Sequence, residues 1–270
     1  MLRQNKEGQA CDRVSVGARE RPVILHIGKR EQMRILVTFD GQGGSSVNPY
    51  DADKGSSALA PHRELELMFD VDLAGVGIGG DLWPAATMFS NLLSFPCYRD
   101  FFSAMFGPST TAVELGSGTG MCGCLIDKLY QPKQIFITDQ ESHMDLIRQN
   151  MLLNNSGKTV EARALDWTAK DYSSSFAAGS ADVVLAMECV YNPTLYKPLI
   201  RTILHLGHLD SVIFLGITRQ FASPSFFKLL TESGLSYTLL PHEALPPSAC
   251  VNTGGAECGL FLLRRLSISN

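Results

Sequence analysis

In the run TAVELGSGTG at 111–120 an apolar stretch ends in glycines at 116, 118 and 120. Glycine tolerates positive φ and lets a backbone come close to a ligand. The helical spacing that resumes at 121–130 opens with N–H groups that have no partner inside their own helix. A strand, a tight turn and a helix N-terminus in that order predict a binding corner.

Around this corner short apolar runs alternate with helical patterns. Thr111–Leu115, Ile135–Thr138, Glu161–Leu165, Ala181–Met187 and Ser211–Ile217 read as strands, and 121–130, 141–153, 194–206 and 224–233 as helices. VVLAM and VIFLGI are continuously apolar, as strands covered by helices on both faces must be. The pattern predicts an α/β fold with a doubly wound, mostly parallel sheet. Leu235–Leu240 and Gly259–Leu266 are joined by a Pro- and Gly-containing connection without room for a clear helix, which predicts an antiparallel closing pair.

Ahead of the corner, Pro84 suits a first helical turn. Ala85, Met88, Phe89, Leu92 and Leu93 follow it at three- and four-residue steps, and Tyr98–Phe106 reads as a second helical stretch. Val23–Ile27 and Met33–Phe39 flank the polar bend Gly28-Lys29-Arg30 and predict a β-hairpin. A Gly/Ser-rich loop follows at 41–57, and His62–Val71 alternates again. Residues 1–20 have almost no periodic apolar pattern and are expected to be a disordered tail. The expected organisation is one domain over 21–270, with a β extension over 21–80 and a cofactor-binding core over 81–270.

A formal net charge of −4 argues against a broad electrostatic grip on nucleic acid or anionic lipid, which needs clustered Lys and Arg. Seven cysteines without framework spacing suit a reducing compartment. No apolar run approaches the ~18 residues that span a bilayer. These features point to a cytoplasmic or nuclear protein, taken as a monomer, with no membrane or nucleic-acid partner. Cys122 and Cys124 would diverge by about 200° on their helix, so no metal site is expected there.

Gly118, Gly120 and Gly123 also match a dinucleotide fingerprint, whose pyrophosphate would sit on the helix N-terminus. Two details favour a methionine-derived nucleoside instead. Glu114 lies inside the strand, and the strand-to-turn junction falls at Gly116, two residues earlier than the dinucleotide register needs. An acid there can meet a cationic amino group, not a pyrophosphate. Asp139 ends the second strand, where a carboxylate can accept both hydroxyls of a ribose. Asp166 and Trp167 end the third and would suit the exocyclic amine and the face of adenine.

On VELGSGTG and ITD the chain resembles the seven-strand S-adenosylmethionine-dependent methyltransferases over about 110–266. On GDLWPAA at 80–86, LDW at 165–167 and AMECVY at 186–191 it resembles, more narrowly, the non-histone protein-lysine methyltransferases. That resemblance implies a Rossmann-like seven-strand sheet with an added N-terminal β element, S-adenosylmethionine as cofactor and a protein substrate. It places cofactor contacts on Trp83, Gly116, Ser117, Gly118, Asp139, Trp167 and Met187. The family tetrapeptide usually begins with Asp, whereas here it reads Glu188-Cys189-Val190-Tyr191, with the acid one methylene longer. Glu188 is expected to hold the incoming ammonium and orient its amine, with Tyr191 lining the same channel. A small-molecule or histidine methyltransferase would keep the same cofactor motifs. A nicotinamide-dependent oxidoreductase and a non-catalytic binding module are the readings of a different class.

Overall fold

The computed structural model describes residues 23–27, 32–39, 63–72, 76–241 and 257–266. The expected tail over 1–20 and the Gly/Ser-rich loop at 41–57 lie outside them. The first three strands, β1 (Val23–Ile27), β2 (Gln32–Phe39) and β3 (Arg63–Asp70), form an antiparallel sheet in the order β1-β2-β3. The expected hairpin is present, and the alternating stretch after the loop adds a third strand to it.

The core begins with helices α1 (Pro84–Leu93) and α2 (Arg99–Met105) and continues with β4 (Thr111–Leu115), α3 (Met121–Tyr130), β5 (Gln134–Asp139), α4 (Met144–Leu153) and β6 (Val160–Ala164). It ends with β7 (Ala181–Met187), α5 (Tyr196–Leu206), β8 (Gly207–Thr218), α6 (Pro224–Glu232), β9 (Leu235–Leu239) and β10 (Cys258–Arg265). The sheet order is β6-β5-β4-β7-β8-β10-β9. β4 through β8 run parallel, and β10 inserts between β8 and β9, antiparallel to both. The order reverses between β4 and β7, and open α/β sheets bind ligands outside the carboxyl ends of their strands at that point.

Side chains from the two sheet faces make two apolar layers. On one, Phe89 of α1 meets Phe214 of β8 with ring centroids 5.3 Å apart and Phe102 of α2 at 6.0 Å. On the other, Leu199, Ile200 and Ile203 of α5 and Phe226 of α6 cover Val184, Ile213 and Leu215. Full burial of such side chains contributes roughly 1.5–3 kcal/mol each, which makes the strand ends a stiff platform for the groups they carry.

Candidate active site

One cavity of ≈ 510 Å³ opens over the carboxyl ends of β4, β5 and β7, a size suited to a small-molecule ligand. Every predicted site residue except Gly120 lines it. Gly120 instead adopts φ +77 as the residue before α3, and a Cβ there would press on the Ile137 and Ile147 side chains at 3.3 and 3.4 Å. At that φ it turns the chain into α3.

The two glycines before it face the cleft at positive φ, +58 at Gly116 and +57 at Gly118. A Cβ on Gly116 would lie 3.1 Å from the Trp167 ring and 3.0 Å from Cys189 Sγ. One on Gly118 would lie 2.5 Å from the carbonyl oxygen of Gly79. That carbonyl belongs to a short 3-10 turn, Gly77–Gly80, which lies as a strap against the glycine corner. Trp83 holds the strap by donating its indole N–H to the Ile78 carbonyl at 2.8 Å.

Glu114 is buried, 2% exposed, and accepts the Gly123 N–H at 2.9 Å. The dinucleotide reading needs the helix N-terminus for a pyrophosphate, but here an acid of the chain already occupies it. Desolvation pushes the Glu114 carboxyl up to about 8, against the lowering effect of the Gly123 hydrogen bond. The folded chain thus holds this proton more tightly than the unfolded one. The resulting stability is complete below pH about 4.5 and is lost as pH rises through about 8. The melting midpoint of the ligand-free protein should fall across that window, and Glu114→Gln, which cannot ionise, should fall less steeply. Identical pH slopes in the two proteins would contradict this environment for Glu114.

Asp139 accepts the Gly118 N–H at 2.8 Å through Oδ2 and the Gln140 N–H at 2.7 Å through Oδ1. A carboxylate has about four lone-pair sites, so two remain for donors in the cleft. Trp167 forms the facing wall. Its carbonyl is fixed by the Tyr172 hydroxyl at 2.6 Å and the Arg201 guanidinium at 3.1 Å, while its buried Nε1 has no hydrogen-bond partner among the described residues. Asp166 is exposed at the rim and closes its own turn by accepting from the Thr168 N–H and hydroxyl, both at 2.8 Å.

Glu188 follows β7 at φ +57, a left-handed conformation that non-glycine residues seldom take and that clusters at functional sites. Its carboxylate is 7% exposed and accepts three donors: the Ala85 N–H at 3.1 Å, the Thr218 N–H at 3.1 Å and the Thr218 hydroxyl. Ala85 lies in the first turn of α1, which has no side-chain cap of its own. An acid there satisfies an orphan N–H and complements the helix dipole. Glu188 therefore anchors α1 as well as lining the cavity. Oε1 takes two of the donors and Oε2 one, which leaves Oε2 room for one more from the cavity. Tyr191 stands at the mouth, 44% exposed, with its phenol raised by partial burial.

The cavity also takes in residues the sequence reading did not single out: Ile78, His143, Leu195 and Phe221. His143 lies 3.5 Å from the Asp139 carboxylate, and a Cβ on Gly79 would sit 2.2 Å from its Nε2. Its place four residues after Asp139 was the one available signal. Leu195 and Phe221 come from short turns after β7 and β8, and no motif marks them.

A family model described as lysine methyltransferase matches residues 62–233. The protein N-lysine methyltransferase METTL21A of Mus musculus is 26% identical over 200 residues, which is 73% of this chain and 85% of that protein. A diaminohydroxyphosphoribosylamino-pyrimidine deaminase of Schizosaccharomyces pombe is 24% identical over 66% of this chain, which spans only 44% of its length. The structure of the trans-methyltransferase CalH in complex with SAH has the same fold, with a TM-score of 0.50 at 17% identity over 72% of this chain and 60% of that one.

Proposed function

The chain belongs to the lysine methyltransferase family, and from that premise we propose that it transfers a methyl group from S-adenosylmethionine to the amine of a lysine side chain in a non-histone protein. The observation that carries this reading is one cavity lined together by Glu114, the Gly116–Gly118 turn, Asp139, Trp167, Glu188 and Tyr191.

The donor set fits that cofactor. Glu114 is a buried acid whose carboxyl a cationic amino group would return to the charged form, and Asp139 has two acceptor sites free for two ribose hydroxyls. Trp167 offers an aromatic face and an indole N–H without a partner among the described residues, and Asp166 an acceptor at the rim. Trp83 and Met187 complete the walls. Bound S-adenosylmethionine supplies an electrophilic methyl group on a sulfonium, so the chain's task is to position and desolvate the nucleophile.

A lysine amine must lose its proton before it can attack, which costs roughly 4–5 kcal/mol at pH 7 from a reference value near 10.4. Burial in the cavity lowers that cost because it penalises the ammonium. The free acceptor site on Glu188 Oε2 takes one N–H of the amine and turns its lone pair inward. Tyr191 and Ile78, half-exposed at the mouth, flank the aliphatic stem.

The substrate is a protein, and the surroundings are a reducing compartment such as the cytoplasm or nucleus. Cys97, Cys122, Cys124, Cys189 and Cys258 are free thiols, and no helix among the described residues is long and apolar enough to cross a membrane. Net negative charge disfavours nucleic acid as a partner, and we take the chain to act as a monomer.

The test is to incubate the protein with methyl-labelled S-adenosylmethionine and cell extract, then hydrolyse the labelled material. Label in methyl-lysine is the expected result. Label confined to small molecules or to methyl-histidine would overturn the substrate assignment, and a melting midpoint raised by NAD but not by S-adenosylhomocysteine would overturn the cofactor.

A further inference from the structure

We propose that Asn150 is a positioning residue for the cofactor turn, tying the Thr119 carbonyl to the backbone of Asp70 so that filling the cleft and seating the N-terminal sheet reinforce each other. The proposal rests on the methyltransferase reading of the cleft.

Asn150 lies on α4 and is fully buried, 0% exposed. Its Oδ1 accepts the Asp70 N–H at 2.6 Å, and its Nδ2 donates to the Asp70 carbonyl at 3.1 Å and to the Thr119 carbonyl at 2.9 Å. Both amide donors are therefore used, one on the N-terminal sheet and one on the glycine turn. Thr119 sits between Gly118 and Gly120, is 2% exposed and lines the cleft.

One helical turn later, Asn154 treats Met68 in the same way. Its Oδ1 accepts the Met68 N–H at 2.7 Å and its Nδ2 donates to the Met68 carbonyl at 2.6 Å. Its second donor, however, goes to the Asn150 carbonyl at 2.7 Å and not to the glycine turn. Residues 68 and 70 alternate along β3, so their backbone groups face the same edge, and side chains at i and i+4 share one helix face. The two asparagines act as a stand-in strand along the edge of β3 that β2 does not cover. Only Asn150 reaches on to the cofactor turn.

The chain closes the circuit from the other side. Beyond Asp70 it enters the strap, where the Asp72 N–H donates to the Gly80 carbonyl at 3.1 Å, and the Gly79 carbonyl lies against Gly118. The glycine turn is thus held by the strap on one side and by Asn150 on the other, and both holds lead back to the end of β3. A ligand that orders the turn must order that strand end, and by linkage a seated strand end must favour the ligand by the same factor.

Hydrogen–deuterium exchange on the full chain, with and without S-adenosylhomocysteine, tests this. The ligand should slow exchange of the 63–70 amides by about fivefold or more in the unaltered protein and in Asn154→Ala, and by less than about twofold in Asn150→Ala, where the strap is the remaining tie between turn and strand. Calorimetry should show the dissociation constant raised by about tenfold in Asn150→Ala and by less than about twofold in Asn154→Ala. A merely structural asparagine would affect both variants alike, and equal protection in all three proteins overturns the proposal. If Asn150→Ala does not fold, the unaltered protein decides alone, since binding without slowed exchange at 63–70 overturns the coupling. Absence of any binding heat with the unaltered protein overturns the cofactor reading and the proposal with it.

Discussion

Gly118→Ala should raise the dissociation constant for S-adenosylhomocysteine by at least about a hundredfold, a loss of roughly 3 kcal/mol. Two independent causes act at this position. An alanine at φ +57 carries about 1–2 kcal/mol of strain. Its Cβ would also lie 2.5 Å from the Gly79 carbonyl oxygen, a backbone atom that cannot swing aside like a side chain. Either the strap lifts or the turn flips, and a flipped turn also withdraws the Gly118 N–H from Asp139. The sheet beneath is untouched, so the variant should fold and melt only a few degrees lower, at about 2–4 °C per kcal/mol for a domain of this size. Calorimetry that finds the affinity within about twofold of the parent would show that the turn does not carry the cofactor.

Glu188→Gln should lose both stability and turnover. Glutamine has one carbonyl oxygen and an NH2 group where the acid had two acceptors. One of the three donors from Ala85 and Thr218 must then face another donor across a buried gap. Leaving a buried group unsatisfied costs about 1–3 kcal/mol, and weaker complementarity to the N-terminus of α1 adds to that. The same exchange removes the acceptor site for the substrate amine, for which a loss of about a hundredfold or more in turnover is expected. S-adenosylhomocysteine affinity should change far less, because the acceptors assigned to the cofactor are those of Glu114 and Asp139, while the Glu188 carboxylate is engaged with Ala85 and Thr218. Melting curves and single-turnover methyl transfer separate the two effects. A destabilised variant whose folded fraction transfers methyl at the parent rate would reduce Glu188 to an anchor for α1.

The reach of the amino-acid sequence follows from the range of the interactions that place each group. The glycine corner, the acids at the ends of β4 and β5 and the strand–helix alternation depend on backbone preference and periodicity over a few residues, so they are legible in the chain alone. Gly120 belongs to the same motif of alternate glycines, and the structure adds that it turns the chain into α3 at φ +77 against the Ile137 and Ile147 side chains. The antiparallel closing pair is visible in the pattern, but the insertion of β10 between β8 and β9 is not, because period-2 alternation says nothing about which edge a strand takes.

Local spacing alone carries the kind of fold, the glycine corner and the strand end that bears Glu188. Tertiary structure alone decided what those groups face. Glu188 meets Ala85 and Thr218 across 103 and 30 positions of chain, the strap reaches the glycine turn from before α1, and Asn150 reaches back 80 residues to Asp70. Such contacts arise only when packed helices and strands bring distant backbone groups together, and burial then requires each of those groups to find a partner.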